Sequence, residues 1–195
     1  MIKTTFFIII LFTQSLFLNA QGPEDLYVLE TDSTWFKEIF TFPISFAQEI
    51  KYVGIEDARF PPGWSKAESP EFWSYIFAWH IDRSTELTGS ELESNLQLYF
   101  DGLLGLNNER EQRKTLVTLN KNNISAVNSS FRGEVETLGS RYTKKPMTLN
   151  VLVEEHLCEK YKKSIILFRF SPKGFGHDIW QVLGDVKLRE GICGN

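Results

Sequence analysis

The sequence predicts an α+β domain, an antiparallel, meander-like sheet with one or two helices packed on one face. Three observations predict it. Four runs in the C-terminal half read as successive strands separated by turn residues, one capped helix follows an aromatic strand, and a second helical segment lies near the C-terminus. The 195 residues are 42% hydrophobic and 24% charged with only 2 Cys, which excludes a disordered acidic tail and a disulfide-built mini-protein.

The chain opens with Lys3, an apolar stretch from Phe6 to Leu18, and small or polar residues ending in Ala20. That order is the layout of a secretory leader, so residues 1–20 are expected to be a signal peptide and 21–195 a single globular domain. The apolar stretch is interrupted by Thr13, Gln14 and Ser15 and falls short of the roughly 20 residues a spanning helix needs, which argues against a permanent membrane anchor. The expected location is therefore outside the cytoplasm, periplasmic or extracellular. Loss of the leader removes one basic residue and no acidic one, so 20 basic face 25 acidic residues. A balance of −5 excludes phosphate-driven nucleic-acid binding. In an oxidising compartment the pair Cys158 and Cys193 is expected to form a disulfide, worth about 4 kcal/mol by loop-closure entropy.

Of the 23 aromatic residues after the leader, 15 lie between Trp35 and Phe100. Trp35 to Phe46 reads as a short strand stopped by Pro43. Pro61, Pro62 and Gly63 mark a loop, and Ser69-Pro70-Glu71 starts a brief helical turn. From Trp73 to Asp82 the chain alternates, placing Trp73, Tyr75, Phe77, Trp79 and Ile81 on one face and Ser74, Ile76, Ala78, His80 and Asp82 on the other.

Ser90 and Glu93 match a capping box, and Leu92, Leu96, Tyr99, Leu103 and Leu106 recur at helical spacing, which predicts a helix over about 90–104. Gly102 and Gly105 read as its termination. Strands follow at 115–120, 131–138, 147–158 and 164–171, the last two joined by a five-residue hairpin connection. Asp178 and Gln181 are the expected cap of a final helix from Ile179 to Glu190, with Gly184 as a weak point within it.

Chemistry is less marked. The aromatic stripe Trp73, Tyr75, Phe77 and Trp79 reads either as core beneath a helix or as the wall of a ligand pocket, since flat rings give contact area and Tyr and Trp keep a polar handle. Arg59 and Trp64 flank a stiff diproline loop that suits a contact surface, with Trp64 tucked onto the domain as the structural alternative. The ligand-binding candidates are therefore Arg59, Trp64, Trp73, Tyr75 and Trp79. His80 and Asp82 share a strand face, as do Glu154 and His156, and with His177 and Asp178 they would form a metal or acid–base cluster if their strands were neighbours. Glu56 and Asp57 are adjacent and point apart on an extended segment, so they do not form a catalytic acid pair. Arg169 lies on an apolar face and needs a partner, Glu134 or Glu136 on a neighbouring strand or an anionic ligand. Asn123 and Asn128 begin glycosylation-type triplets in a polar loop.

Nucleophile-elbow, zinc-protease and phosphate-loop patterns are absent, and no residue pattern points to a particular cofactor or oligomeric state. The leading expectation is a non-enzymatic exported domain that binds a small molecule or a protein partner. Its alternatives are a metal-assisted hydrolase built on His80, Asp82, Glu154, His156 and His177, and a structural assembly protein of the cell envelope.

Overall fold

The fold comes from a computed structural model that describes residues 27–105, 115–122, 130–139 and 145–194. The expected leader, the triplets beginning at Asn123 and Asn128, and Leu106 lie outside the described residues. The elements in chain order are β1 (Leu29–Glu30), β2 (Phe36–Thr41), β3 (Gly54–Phe60), β4 (Tyr75–Ile81), α1 (Gly89–Leu103), β5 (Leu116–Lys121), β6 (Ser130–Leu138), β7 (Pro146–Cys158), β8 (Lys163–Ser171), α2 (Ile179–Asp185) and β9 (Lys187–Leu188).

Seven strands form one antiparallel sheet in the order β2-β3-β4-β8-β7-β6-β5, and β1 pairs with β9 in a separate ribbon. The large sheet is two meanders joined at their ends. After β4 the chain runs through α1 to the far edge, then returns as β5 to β8, so that β8 docks beside β4 with Phe168 opposite Phe77 and Ile166 opposite Trp79. This is the α+β antiparallel class that the sequence predicts, and the strands expected at 115–120, 131–138, 147–158 and 164–171 all form.

The two helices occupy opposite faces rather than one. On the first face Leu92, Leu96, Tyr99 and Phe100 of α1 pack on Phe77, Trp79, Phe168 and Phe170. On the second, Ile179, Trp180 and Leu183 of α2 pack with Val28 and Leu29 on Ile76, Ala78, Ile165 and Leu167. The cause is the uninterrupted run Ile165-Ile166-Leu167, buried throughout β8, because a strand with no polar side must be covered twice. Cys158 and Cys193 are bridged on this second face, tying the C-terminal tail to the end of β7.

Two helix ends differ from expectation. The box that caps α1 is Thr88 with Glu91, two residues upstream of Ser90 and Glu93: the Thr88 hydroxyl accepts from the Glu91 amide and Glu91 accepts from the Thr88 amide. Both pairs satisfy the pattern. Arg83 favours the upstream one by binding Glu91 at 3.1 Å, while Glu93 is engaged elsewhere, accepting from the Leu119 amide of β5. The final helix stops at Asp185, just after Gly184, and Lys187–Leu188 turn into β9. Asp178 stands at its N-cap without a side-chain bond, and His177 Nδ1 accepts the Ile179 amide instead. Among the described residues no helix is long and apolar enough to cross a membrane.

Candidate ligand-binding cavity

Alternation along β2, β3 and β4 brings Glu38 and Phe40, Glu56 and Phe60, and Tyr75, Phe77 and Trp79 to the face covered by α1. Between this face, the C-terminal end of α1 and the loop 61–73 lies a cavity of about 430 Å³. Eight of the eleven described residues that line it are aromatic, namely Phe40, Phe46, Phe60, Trp64, Trp73, Tyr75, Phe77 and Tyr99, and the other three are Glu38, Leu103 and Leu104. Most of the rings run as a chain of contacts. Trp64 meets Phe60 at 4.7 Å between centroids, Phe60 stacks on Tyr75 at 5.6 Å, Phe77 stacks on Tyr99 at 5.0 Å, and Tyr99 meets Phe46 edge-on at 5.1 Å.

Three local devices hold this wall. The loop 61–73 is braced by successive turn bonds and by Glu71, which accepts the Gly63 amide at 2.6 Å. At its end Trp73 sits at φ 53°, a left-handed conformation that costs a bulky residue roughly 1–3 kcal/mol, and its amide donates to the Trp64 carbonyl at 2.8 Å. That bond fastens the two indole-bearing ends of the loop together. On the other side, an added Cβ at Gly102 would stand 1.8 Å from the Phe46 carbonyl oxygen, so α1 approaches the 42–50 segment as closely as only glycine permits. Gly105, at φ +71°, then ends the helix beside the cavity.

Behind the rings is a buried acid. Glu56 is 0% exposed, and its carboxyl accepts from the Trp79 indole at 2.7 Å and from the Tyr99 hydroxyl at 2.8 Å. With only neutral donors as partners, burial dominates and pushes its pKa up to about 7, with Glu38 and Asp57 adding to the rise. The Tyr75 hydroxyl is also buried and has no hydrogen-bond partner among the described residues. Burial first, then the nearby Glu56, raises its pKa and keeps it protonated.

Of the expected ligand-binding residues, Trp64, Trp73 and Tyr75 line the cavity. Trp79 stands behind it, 0% exposed, with its indole committed to Glu56. Arg59 is on the opposite face, fully buried, bonded to Asp57 at 2.8 Å and to the Leu29 carbonyl at 3.1 Å, with its guanidinium over the Tyr27 ring. Asp57 in turn accepts the Val28 and Leu29 amides, so this pair anchors the N-terminal segment. The outward-pointing pair of carboxylates is as the extended segment requires: Glu56 and Asp57 face opposite sides of the sheet.

The expected metal cluster is not assembled. His80 and His156 flank Ile165 from β4 and β7, two strand spacings or about 10 Å apart, and burial lowers the pKa of both. Asp82 is ion-paired with Lys163, Glu154 with Arg169 at 2.8 Å, and His177 holds the start of α2. Among the described residues no group of three or more His, Cys, Asp or Glu can hold one ion. Arg169 finds its partner in Glu154 and the Leu183 carbonyl, not in Glu134 or Glu136. Sequence reading missed Glu38, Phe40, Phe46 and the role of Glu56, since their meeting depends on the pairing of β2 with β3 and on the approach of α1.

Fold and site together define the class: an α+β antiparallel-sheet domain carrying an aromatic cavity backed by a buried acid. Comparison with protein families, with curated proteins and with solved structures returns no match.

Proposed function

We propose that this chain is an exported, non-enzymatic binding protein that holds a small organic molecule among Trp64, Trp73 and Tyr75. The observation that carries the reading is the cavity of about 430 Å³ with eight aromatic walls, a size and lining suited to a small ligand. The aromatic wall is held by a braced loop and a strained Trp73 backbone. Among the described residues the ionisable groups of the lining are Glu38 and the hydroxyls of Tyr75 and Tyr99. Export is supported by the leader-like opening residues and by the Cys158–Cys193 bridge.

A native mass spectrum of the protein purified from its own host's exported fraction tests this reading. The expected result is a chain lacking its leader, two hydrogens lighter for the disulfide, with an organic adduct that the Trp64→Ala variant fails to retain. A metal adduct in place of an organic one, unaffected by Trp64→Ala, would overturn it.

A further inference from the structure

We infer that the cavity takes an organic cation, a protonated amine on an apolar body, with its charge directed to the side of Glu38 and Glu56. The inference rests on the reading of the cavity as a ligand site and names the ligand's chemistry.

Charge separates the possible ligands first. Among the described residues Glu38 is the one charged lining residue, and Glu56 lies a single hydrogen bond behind the Tyr99 hydroxyl. Among the described residues no lysine or arginine lines the cavity, and a carboxylate or phosphate ligand would meet two acids there without a described counter-charge. The aromatic faces add to the same preference, because a ring quadrupole presents negative potential to whatever lies over it and attracts a cation.

Hydrogen bonding separates the rest. A sugar needs partners for many hydroxyls, yet four of the eight rings are phenylalanine, and the Trp79 indole and Tyr99 hydroxyl are already committed to Glu56. The acceptors among the described lining side chains are few and match an ammonium group. The buried Tyr75 hydroxyl lacks a partner and can accept one N–H, and Glu38 can accept another. A neutral hydrocarbon would fill the space but leave Tyr75 unsatisfied.

The test compares three probes that share a phenethyl body by isothermal titration calorimetry on the full mature chain near neutral pH: phenethylammonium, its uncharged isostere propylbenzene, and the anion 3-phenylpropanoate. Phenethylammonium is expected to bind about tenfold more tightly than propylbenzene, with the anion weakest. Glu38→Gln should remove most of that difference while leaving propylbenzene affinity unchanged. Glu38 is exposed on edge strand β2, so the variant should fold, as an unchanged melting curve would verify. Tyr75→Phe should weaken phenethylammonium alone. Equal or tighter binding of propylbenzene or of the anion would overturn the cation inference and leave the cavity a ligand site. Failure of all three probes to bind would overturn the cation inference, and with an organic adduct also absent from the native protein the binding reading would fall with it.

Discussion

Glu56 and Asp57 are neighbours in the chain and opposites in role, and the contrast between them is the contrast between the two faces of the sheet. Asp57 faces the side covered by α2 and the chain's N-terminal segment, where a guanidinium and two backbone amides satisfy it. On the same side the C-terminal tail is fastened by a disulfide. Glu56 faces the side covered by α1, where its partners are an indole and a phenol, both neutral, and a cavity lies beyond them. A buried charge met by an opposite charge holds a fold together. One met only by neutral dipoles keeps a protonation equilibrium near neutrality, at a cost that the buried aromatic rings offset at roughly 1.5–3 kcal/mol each.

Removing the charge of Asp57 should have a large effect on stability. Asp57→Asn strands the buried Arg59 and is expected to cost about 3–5 kcal/mol in urea unfolding, while ligand affinity, measured on the folded fraction, stays the same. An affinity loss alongside would mean that the two faces are coupled rather than separate.

Glu56→Gln addresses the other face through pH. Because folding raises the carboxyl from its ordinary 4.5 to about 7, the native state binds the extra proton. The contribution of neutral Glu56 is complete below about pH 4.5 and is lost as pH rises through about 7. Across that span the wild type should lose roughly 3 kcal/mol relative to Glu56→Gln, read as the difference between their unfolding curves. The groups facing Glu56 are Glu38 from β2, Trp79 and Tyr75 from β4, and Tyr99 from α1, while the charge of its chain neighbour Asp57 acts from the opposite face. Parallel curves for the two proteins would show that folding leaves the Glu56 pKa unchanged and that the faces do not differ in this way.

The smallest stability effect is expected at Trp64. As a half-buried loop residue its truncation should change stability by about 1 kcal/mol or less, yet lower phenethylammonium affinity at least tenfold. Trp79→Ala, at a fully buried site, should instead cost about 3–5 kcal/mol in stability.

Much of this fold is legible in the sequence. The aromatic alternation of β4, the turn-bounded strands β5 to β8 and the helical spacing of α1 are local signals, and local signals suffice where one face of an element is apolar. The strand β3 is less legible, since Glu56, Asp57 and Arg59 look like a solvated segment until their partners on α1, on β4 and in the N-terminal segment are known. Coverage of both faces was latent in Ile165-Ile166-Leu167, a run with no polar side. The cavity was half legible: Trp64, Trp73 and Tyr75 stand out by composition, whereas Glu38, Phe40 and Phe46 join them only through strand register and the close approach at Gly102. Arg59 misleads because a charged residue beside an aromatic loop resembles a contact surface, and alternation sends it to the other side.

The five tryptophans offer the most direct test, because they divide between the faces: Trp64, Trp73 and Trp79 on the cavity side, Trp35 and Trp180 on the other. Their indole N–H resonances can be followed by nitrogen-15 NMR while phenethylammonium is added. The expected result is large movement of Trp64 and Trp73, a smaller shift of Trp79 through Glu56, and fixed signals for Trp35 and Trp180. Movement of Trp35 or Trp180 with Trp64 and Trp73 unchanged would contradict the assignment of binding to the aromatic face.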